Sequence, residues 1–276
     1  MFKRGTTIIN EEEIFYIFED TGKPKVLFLH GFNSAHSFVF QLEKLENRDY
    51  DIVAFDFPGC GKSSANKNVD ITYYQQISAK FVELFNLKGS LVVAHSLGAA
   101  SALYLLDQKL VKYALLGGPL NPFTVDDVLK TRANTLKHWL LPKTLKDAIE
   151  SSKNLVFGNK NNYKDQLKKI GSMFLKLTQI KYKLFSFMVN KQILNSKWLK
   201  ENLEPLYANN KNYEIISGRQ DLFVPLETLE QVQNKYHISL SILEECGHAL
   251  FFEQSEKINE KINELVAKIM PDAGLK

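Results

Sequence analysis

Residues 91–100, Leu-Val-Val-Ala-His-Ser-Leu-Gly-Ala-Ala, constrain this chain more than any other stretch. A run of small, apolar and β-compatible residues leads into Ser96, and a helix-forming run from Leu97 to Gln108 begins at once, with no loop between. A strand that becomes a helix within one or two residues forces the corner residue into a sparsely populated backbone conformation and stands its side chain clear of the main chain. A hydroxyl there lies over the positive end of the following helix, a position suited to a nucleophile. The residues two before and two after such a corner lie close together and must be small. Gly98 meets that need at the second position, and Ala94 adds one methyl group at the first. On this stretch alone the plain alternative is that Ser96 only caps the helix.

The rest of the chain repeats the strand-then-helix pattern. Thr6 to Asn10 and Glu13 to Glu19 read as strands, and Thr21-Gly22-Lys23-Pro24 as a turn. Lys25 to Leu29 and Asp51 to Phe55 are short apolar runs of the kind that buried strands show. Between them, Phe38, Leu42 and Leu45 recur at helical spacing within Ser37 to Glu46. Thr72 to Phe85 predicts a helix with Tyr73, Ile77, Phe81 and Leu84 on one face. After a further strand at Tyr113 to Leu116, the region from Leu120 to about Pro205 changes to helices rich in Lys, Phe and Leu. The alternation then resumes with a strand at Tyr213 to Ser217, a helix at Leu226 to Tyr236, a strand at Ile238 to Leu243 and a closing helix from Ala249 to Ile269. The pattern predicts an α/β fold, a mostly parallel sheet flanked by helices with a helical cap inserted after the sixth strand. The core is expected over 1–119 and 206–276 and the cap over 120–205, at the carboxyl edge of the sheet where ligands bind in open α/β folds.

A serine hydroxyl is a weak nucleophile unless a base takes its proton and a carboxylate orients that base. Later strand ends supply both. Asp221 follows a strand in Ser217-Gly218-Arg219-Gln220-Asp221, and His248 follows the last strand in Glu244-Glu245-Cys246-Gly247-His248. The plain readings are an Asx turn or helix cap for Asp221 and a surface histidine for His248. The order Ser96, Asp221, His248, with H-G-F at 30–32, D-F-P-G-C-G-K-S at 56–63, A-H-S-L-G at 94–98, G-R-Q-D-L-F-V-P at 218–225 and C-G-H at 246–248, resembles the α/β-hydrolases of the esterase/lipase type over nearly the whole chain. The resemblance implies a nucleophile at Ser96, a general base at His248 and an orienting acid at Asp221. It further implies an oxyanion hole built from the backbone N–H groups of Phe32 and Leu97. It implies neither metal nor organic cofactor.

Other residues carry weaker signals. Pro58-Gly59-Cys60-Gly61-Lys62-Ser63 mimics the end of a phosphate-binding loop, but Asp56 occupies the place of its first glycine and would repel phosphate. His30 is expected to brace the loop after its strand, His95 to pack, and His36, His138 and His237 to be solvated or structural. Cys60 and Cys246 suggest neither a disulfide framework nor a metal site. Neither a secretory signal nor a membrane-length apolar run is evident, so the expected location is the cytoplasm.

The net charge of +4 is unevenly spread, with sixteen Lys/Arg against seven Asp/Glu between Leu120 and Pro205. Most of those lysines are expected in solvent, and the sharper reading is contact of the basic, Phe-rich cap with anionic lipid. Nucleic-acid binding is not expected, because no recognised module accompanies the charge. The sequence thus predicts a serine hydrolase that cleaves a small-molecule carboxylic ester through an acyl-serine intermediate. Thioester, amide or carbon–carbon bonds remain open as alternatives, as does a hydrolase-fold binding module with little turnover. The oligomeric state is left open.

Overall fold

The computed structural model describes residues 2–125, 130–158 and 164–270, with backbone alone at 130, 131 and 164–166. Parts of the expected divisions, 1–119 with 206–276 and 120–205, therefore lie outside the described residues. Eight strands form one sheet: β1 (Phe2–Ile9), β2 (Glu12–Glu19), β3 (Lys25–Leu29), β4 (Asp51–Phe55), β5 (Leu91–His95), β6 (Tyr113–Gly117), β7 (Tyr213–Gly218) and β8 (Ser239–Leu243). Their spatial order is β1-β2-β4-β3-β5-β6-β7-β8. The β1–β2 and β2–β4 pairs are antiparallel and every later pair is parallel, as in Val26↔Leu91 and Ala94↔Leu116.

The central strands are apolar on both faces because both faces are covered. Leu27, Leu29, Val53, Phe55, Val92, Ala94 and Leu116 point into one core, while Val26, Phe28, Ile52, Ala54, Leu91, Val93 and Leu115 point into the other. That division is the two-residue period of a strand. Eleven α-helical segments are described: α1 (Phe40–Glu43), α2 (Ile71–Leu84), α3 (Gly98–Asp107), α4 (Lys130–Leu140), α5 (Leu145–Asn154), α6 (Lys164–Met188), α7 (Ser196–Trp198), α8 (Glu204–Asn209), α9 (Leu226–Tyr236), α10 (Leu250–Glu253) and α11 (Ser255–Ile269). Helices α2, α3 and α9 bury Phe81, Leu103 and Leu229 in the first core. Helices α1 and α11 bury Leu42, Ile262 and Leu265 in the second.

Three local expectations differ from what forms. The segment expected as one helix from Ser37 to Glu46 is a 3₁₀ turn at His36–Val39 followed by the single turn α1, and the free His36 amide at its start is taken up by the Asp56 carboxylate. In α2 Tyr74 is buried while Tyr73 is only half-buried against the first core, and Leu84 is 53% exposed. The Tyr74 ring stacks on Phe57 with centroids 4.3 Å apart, and this contact rotates the buried stripe. The closing helix breaks at Gln254 (φ −133°, ψ 41°) into α10 and α11. The Glu253 carboxylate there accepts the Gly247 and Phe157 amides at 2.8 and 2.6 Å, which ties α10 to the preceding loop.

Helices α4 to α8 connect β6 to β7. The two ends of this connection are joined by the Tyr207 hydroxyl, which donates to the Leu120 carbonyl at 2.7 Å. Its middle is fixed to the core where Gln192 accepts the Ile71 amide at 3.0 Å, at the start of α2. Among the described residues no helix is long and apolar enough to cross a membrane.

Candidate active site

Ser96 stands at the turn between β5 and α3 with φ 53°, in the left-handed region that a non-glycine residue enters only when its surroundings require it. The Ser96 amide is held by the Gly117 carbonyl on the neighbouring strand end, at 2.9 Å. A Cβ at position 98 would lie 2.6 Å from the Leu29 oxygen and 2.8 Å from the His30 oxygen, so the close approach of α3 to β3 requires glycine there. The methyl group of Ala94 is accommodated at the other side of the turn, fully buried in the first core.

Asp221 and His248 arrive from the ends of β7 and β8. The loops that carry them touch: a Cβ on Gly218 would be 2.2 Å from the Cys246 oxygen. Gln220 accepts the Cys246 amide through its side chain and donates its own amide to the Cys246 carbonyl, both at 3.0 Å. The two readings of Asp221 hold at once, because its carboxylate oxygens divide the work. Oδ1 accepts the amides of Phe223 and Val224, each at 2.8 Å, and closes the turn. Oδ2 is 2.7 Å from His248 Nδ1. An ionised carboxylate only accepts, so Nδ1 carries the proton and Nε2 presents its lone pair to Ser96 Oγ, 3.0 Å away. Asp221 is 2% exposed and His248 5%, so water barely competes for the pair. The structure therefore brings together all three side chains that the sequence singles out.

The loop after β3 is braced as expected of His30. This wholly buried ring bonds the Gly31 carbonyl through Nδ1 at 2.8 Å and accepts the Phe57 amide at Nε2, 2.9 Å away. Burial lowers its pKa to about 4, so the ring is neutral. The loop reaches Ser96 closely, since a Cβ on Gly31 would lie 3.1 Å from the Ser96 Cβ. Among the described residues, the amides of Phe32 and Leu97 are paired with no backbone or side-chain acceptor. The loop that resembles a phosphate-binding turn already holds an anion of the protein's own: Asp56 accepts the Lys62 amide at 2.9 Å and the His36 ring at 2.8 Å.

Sequence reasoning missed two contributors. Gly118 has φ +49°, and a Cβ there would come within 3.0 Å of Asp221 Oδ2 and 3.3 Å of His248 Nδ1. The run Gly117-Gly118-Pro119 at the end of β6 was the available signal. His95 does more than pack. Its Nε2 lies 2.9 Å from the His248 carbonyl oxygen, fixing the backbone of that residue, and its ring faces the same cavity as Ser96. Burial, then the adjacent His248, lowers the pKa of His95 to about 3, so it is a neutral donor to that carbonyl.

The Ser96 hydroxyl opens into a cavity of about 340 Å³ whose lining includes Phe32, Trp139, Leu140, Phe174, Phe223 and Phe251 and, among the described residues, no Asp, Glu, Lys or Arg. Phe223 stacks on the His248 imidazole with centroids 5.1 Å apart and also meets Trp139 of α4 at 5.1 Å. Arg132 of α4 donates to the carbonyls of Thr124 and Phe223 at 2.9 and 2.8 Å, which links the α4–α8 connection to the loop bearing Asp221.

A family model described as alpha/beta hydrolase fold matches residues 24–255. A Mycoplasma genitalium protein provisionally named esterase/lipase 1 is 25% identical over 252 residues, covering 87% of this chain and 90% of its own length. The monoacylglycerol lipase ABHD6 of Mus musculus is 23% identical, covering 90% of this chain and 76% of its own length. Among solved structures, a bacterial membrane phospholipase A superposes with a TM-score of 0.80 at 17% identity, covering 98% of this chain and 87% of that one.

Proposed function

The chain belongs to the α/β hydrolase fold family, and from that premise we propose that it is a serine hydrolase cleaving carboxylic esters of apolar acyl groups. The observation that carries the reading is the relay Asp221–His248–Ser96, with links of 2.7 and 3.0 Å, opening into an apolar cavity. His248 takes the Ser96 proton as Oγ attacks the ester carbonyl, and the amides of Leu97 and Phe32 bind the oxygen that becomes negative. His248 then gives the proton to the departing alcohol. Water, activated by the same imidazole, releases the acid from Ser96.

The described lining, apolar and without a carboxylate among the described residues, favours an apolar acyl group over an aminoacyl one, whose ammonium calls for a carboxylate partner. The chain's likeness to relatives named esterase/lipase and monoacylglycerol lipase supports an ester over a thioester or carbon–carbon bond. The helices between β6 and β7 serve as a cap over 120–205, on a core of 1–119 and 206–276, since Trp139, Leu140 and Phe174 come from them.

The test is a panel of p-nitrophenyl esters graded by chain length, beside thioester and aminoacyl substrates. Ester turnover should dominate, and a fluorophosphonate should label the wild type and leave Ser96→Ala unlabelled. Labelling that persists in Ser96→Ala, or preference for the thioester, would overturn the assignment.

A further inference from the structure

Helix α6 is apolar on two sides, and among the described residues only one of them has a partner within the chain. Its inner side is occupied: Phe185 and Met188 are buried in the first core, and Gly171 lies against Ile149 of α5, where a Cβ would approach Ile149 Cγ1 to 2.7 Å. On the outer side, Ile170, Met173, Leu177, Ile180 and Phe187 are 52, 66, 38, 73 and 55% exposed. Their spacing of three, four, three and seven residues makes a single stripe along the helix.

Lys169, Lys176 and Lys183 recur every seven residues beside that stripe, all exposed, and no Asp or Glu occurs between 167 and 188. An exposed apolar stripe flanked by cations alone is the pattern of a helix that lies in the plane of a bilayer, its apolar face among acyl chains and its lysines at anionic headgroups. We infer that the outer face of α6 docks this protein on an anionic lipid surface. A second copy of the chain fits less well, because pairing two such faces would set lysine rows near each other.

The same helix borders the cavity. Phe174 lines it, and Leu177 and Lys181 line a shallow cleft with Asn33 and Ser34, which border the cavity as well. Docking on α6 therefore brings the mouth of the cavity to the lipid surface. That a lipid ester then enters rests on the hydrolase reading; the docking itself does not.

The experiment uses the full chain carrying Ser96→Ala, so that lipid is not consumed, and flotation with phosphatidylcholine vesicles with or without phosphatidylglycerol. Binding should require phosphatidylglycerol and weaken with added salt. Met173→Glu with Ile180→Glu should lower partitioning by at least about tenfold. Replacing Lys169, Lys176 and Lys183 by Gln should lower it by roughly a hundredfold. On the Ser96 background these surface variants should keep wild-type melting and wild-type turnover of a short, soluble ester, which separates failure of docking from failure of hydrolysis. Absence of binding to anionic vesicles, undiminished binding by the variants, or a dimer dissolved by the glutamates without vesicle binding would each overturn the inference.

Discussion

The carboxyl edge of the sheet and the helices between β6 and β7 both wall the cavity, yet they are held in place by different means. At the sheet edge, Ser96, Asp221 and His248 each follow a parallel strand by a few residues. Their backbones are fixed by neighbouring strand ends, as in the bond from the Ser96 amide to the Gly117 carbonyl and the paired bonds between Gln220 and Cys246. The helical region instead rests on apolar packing and a few polar links, notably those of Gln192, Tyr207 and Arg132. On the proposed reading, chemistry that tolerates errors of only a fraction of an ångström would sit on the rigid part, and shape selection on the part that packing can rearrange.

Substitutions at the sheet edge should accordingly cost the most. Asp221→Asn keeps the turn acceptor at Oδ1 but removes the charge that fixes the His248 tautomer, so kcat for an ester should fall by about 10⁴ with little change in melting temperature. A near-normal rate would place the orienting acid elsewhere. Gly118→Val comes next. It forces a β-branched residue into φ +49° and sets a Cβ 3.0 Å from Asp221 Oδ2, so the Asp–His link must shift. A loss of roughly 10²-fold in kcat is expected from a displacement of that size, and a loss below threefold would show that the loop after β6 yields freely.

The same division decides what could be read before any coordinates. The strand runs at 25–29, 51–55 and 91–95 and the corner at Ser96 were legible because short-range sterics and burial on both faces dictate them. Asp221 and His248 were legible because strand ends bear them in order. Long-range contacts set the rest. The Glu253 carboxylate is drawn to the Gly247 and Phe157 amides and breaks the closing helix, which no local propensity signals. Tyr74 is buried more deeply than Tyr73 in α2, where Phe57, well before it in the chain, offers a ring to stack on. His95 holds the backbone of His248 across 153 positions. In the helical region, lysine content showed which residues would be wet, but not that Arg132 would reach the Phe223 carbonyl.

Arg132 tests the comparison where its two regions meet. Arg132→Gln removes the donor to Phe223, whose amide closes the Asp221 turn, while leaving the sheet edge untouched. If the sheet edge is rigid by itself, kcat should fall by no more than about tenfold, with a larger change in KM than Ser96 or Asp221 variants show. A fall near that of Asp221→Asn would mean that the helices hold the acid in position and that the two regions are one.

The smallest effect concerns acid. His30 is wholly buried beneath the sheet edge, and burial lowers its pKa to about 4 from an unfolded value near 6.5. Between those values the unfolded chain binds the proton and the folded chain does not, so stability is full above about pH 6.5 and is lost as pH falls toward 4. The loss from His30 alone should be roughly 2 kcal/mol by pH 5, seen as a falling melting temperature. His95, also lowered by burial and the adjacent His248, contributes in the same direction. His30→Gln should melt lower at neutral pH, having lost well-formed bonds, yet show a shallower decline from pH 6.5 to 5; His95→Gln should flatten the decline as well. An unchanged slope in both variants would shift the acid sensitivity away from the sheet edge and remove one of the contrasts between the two regions.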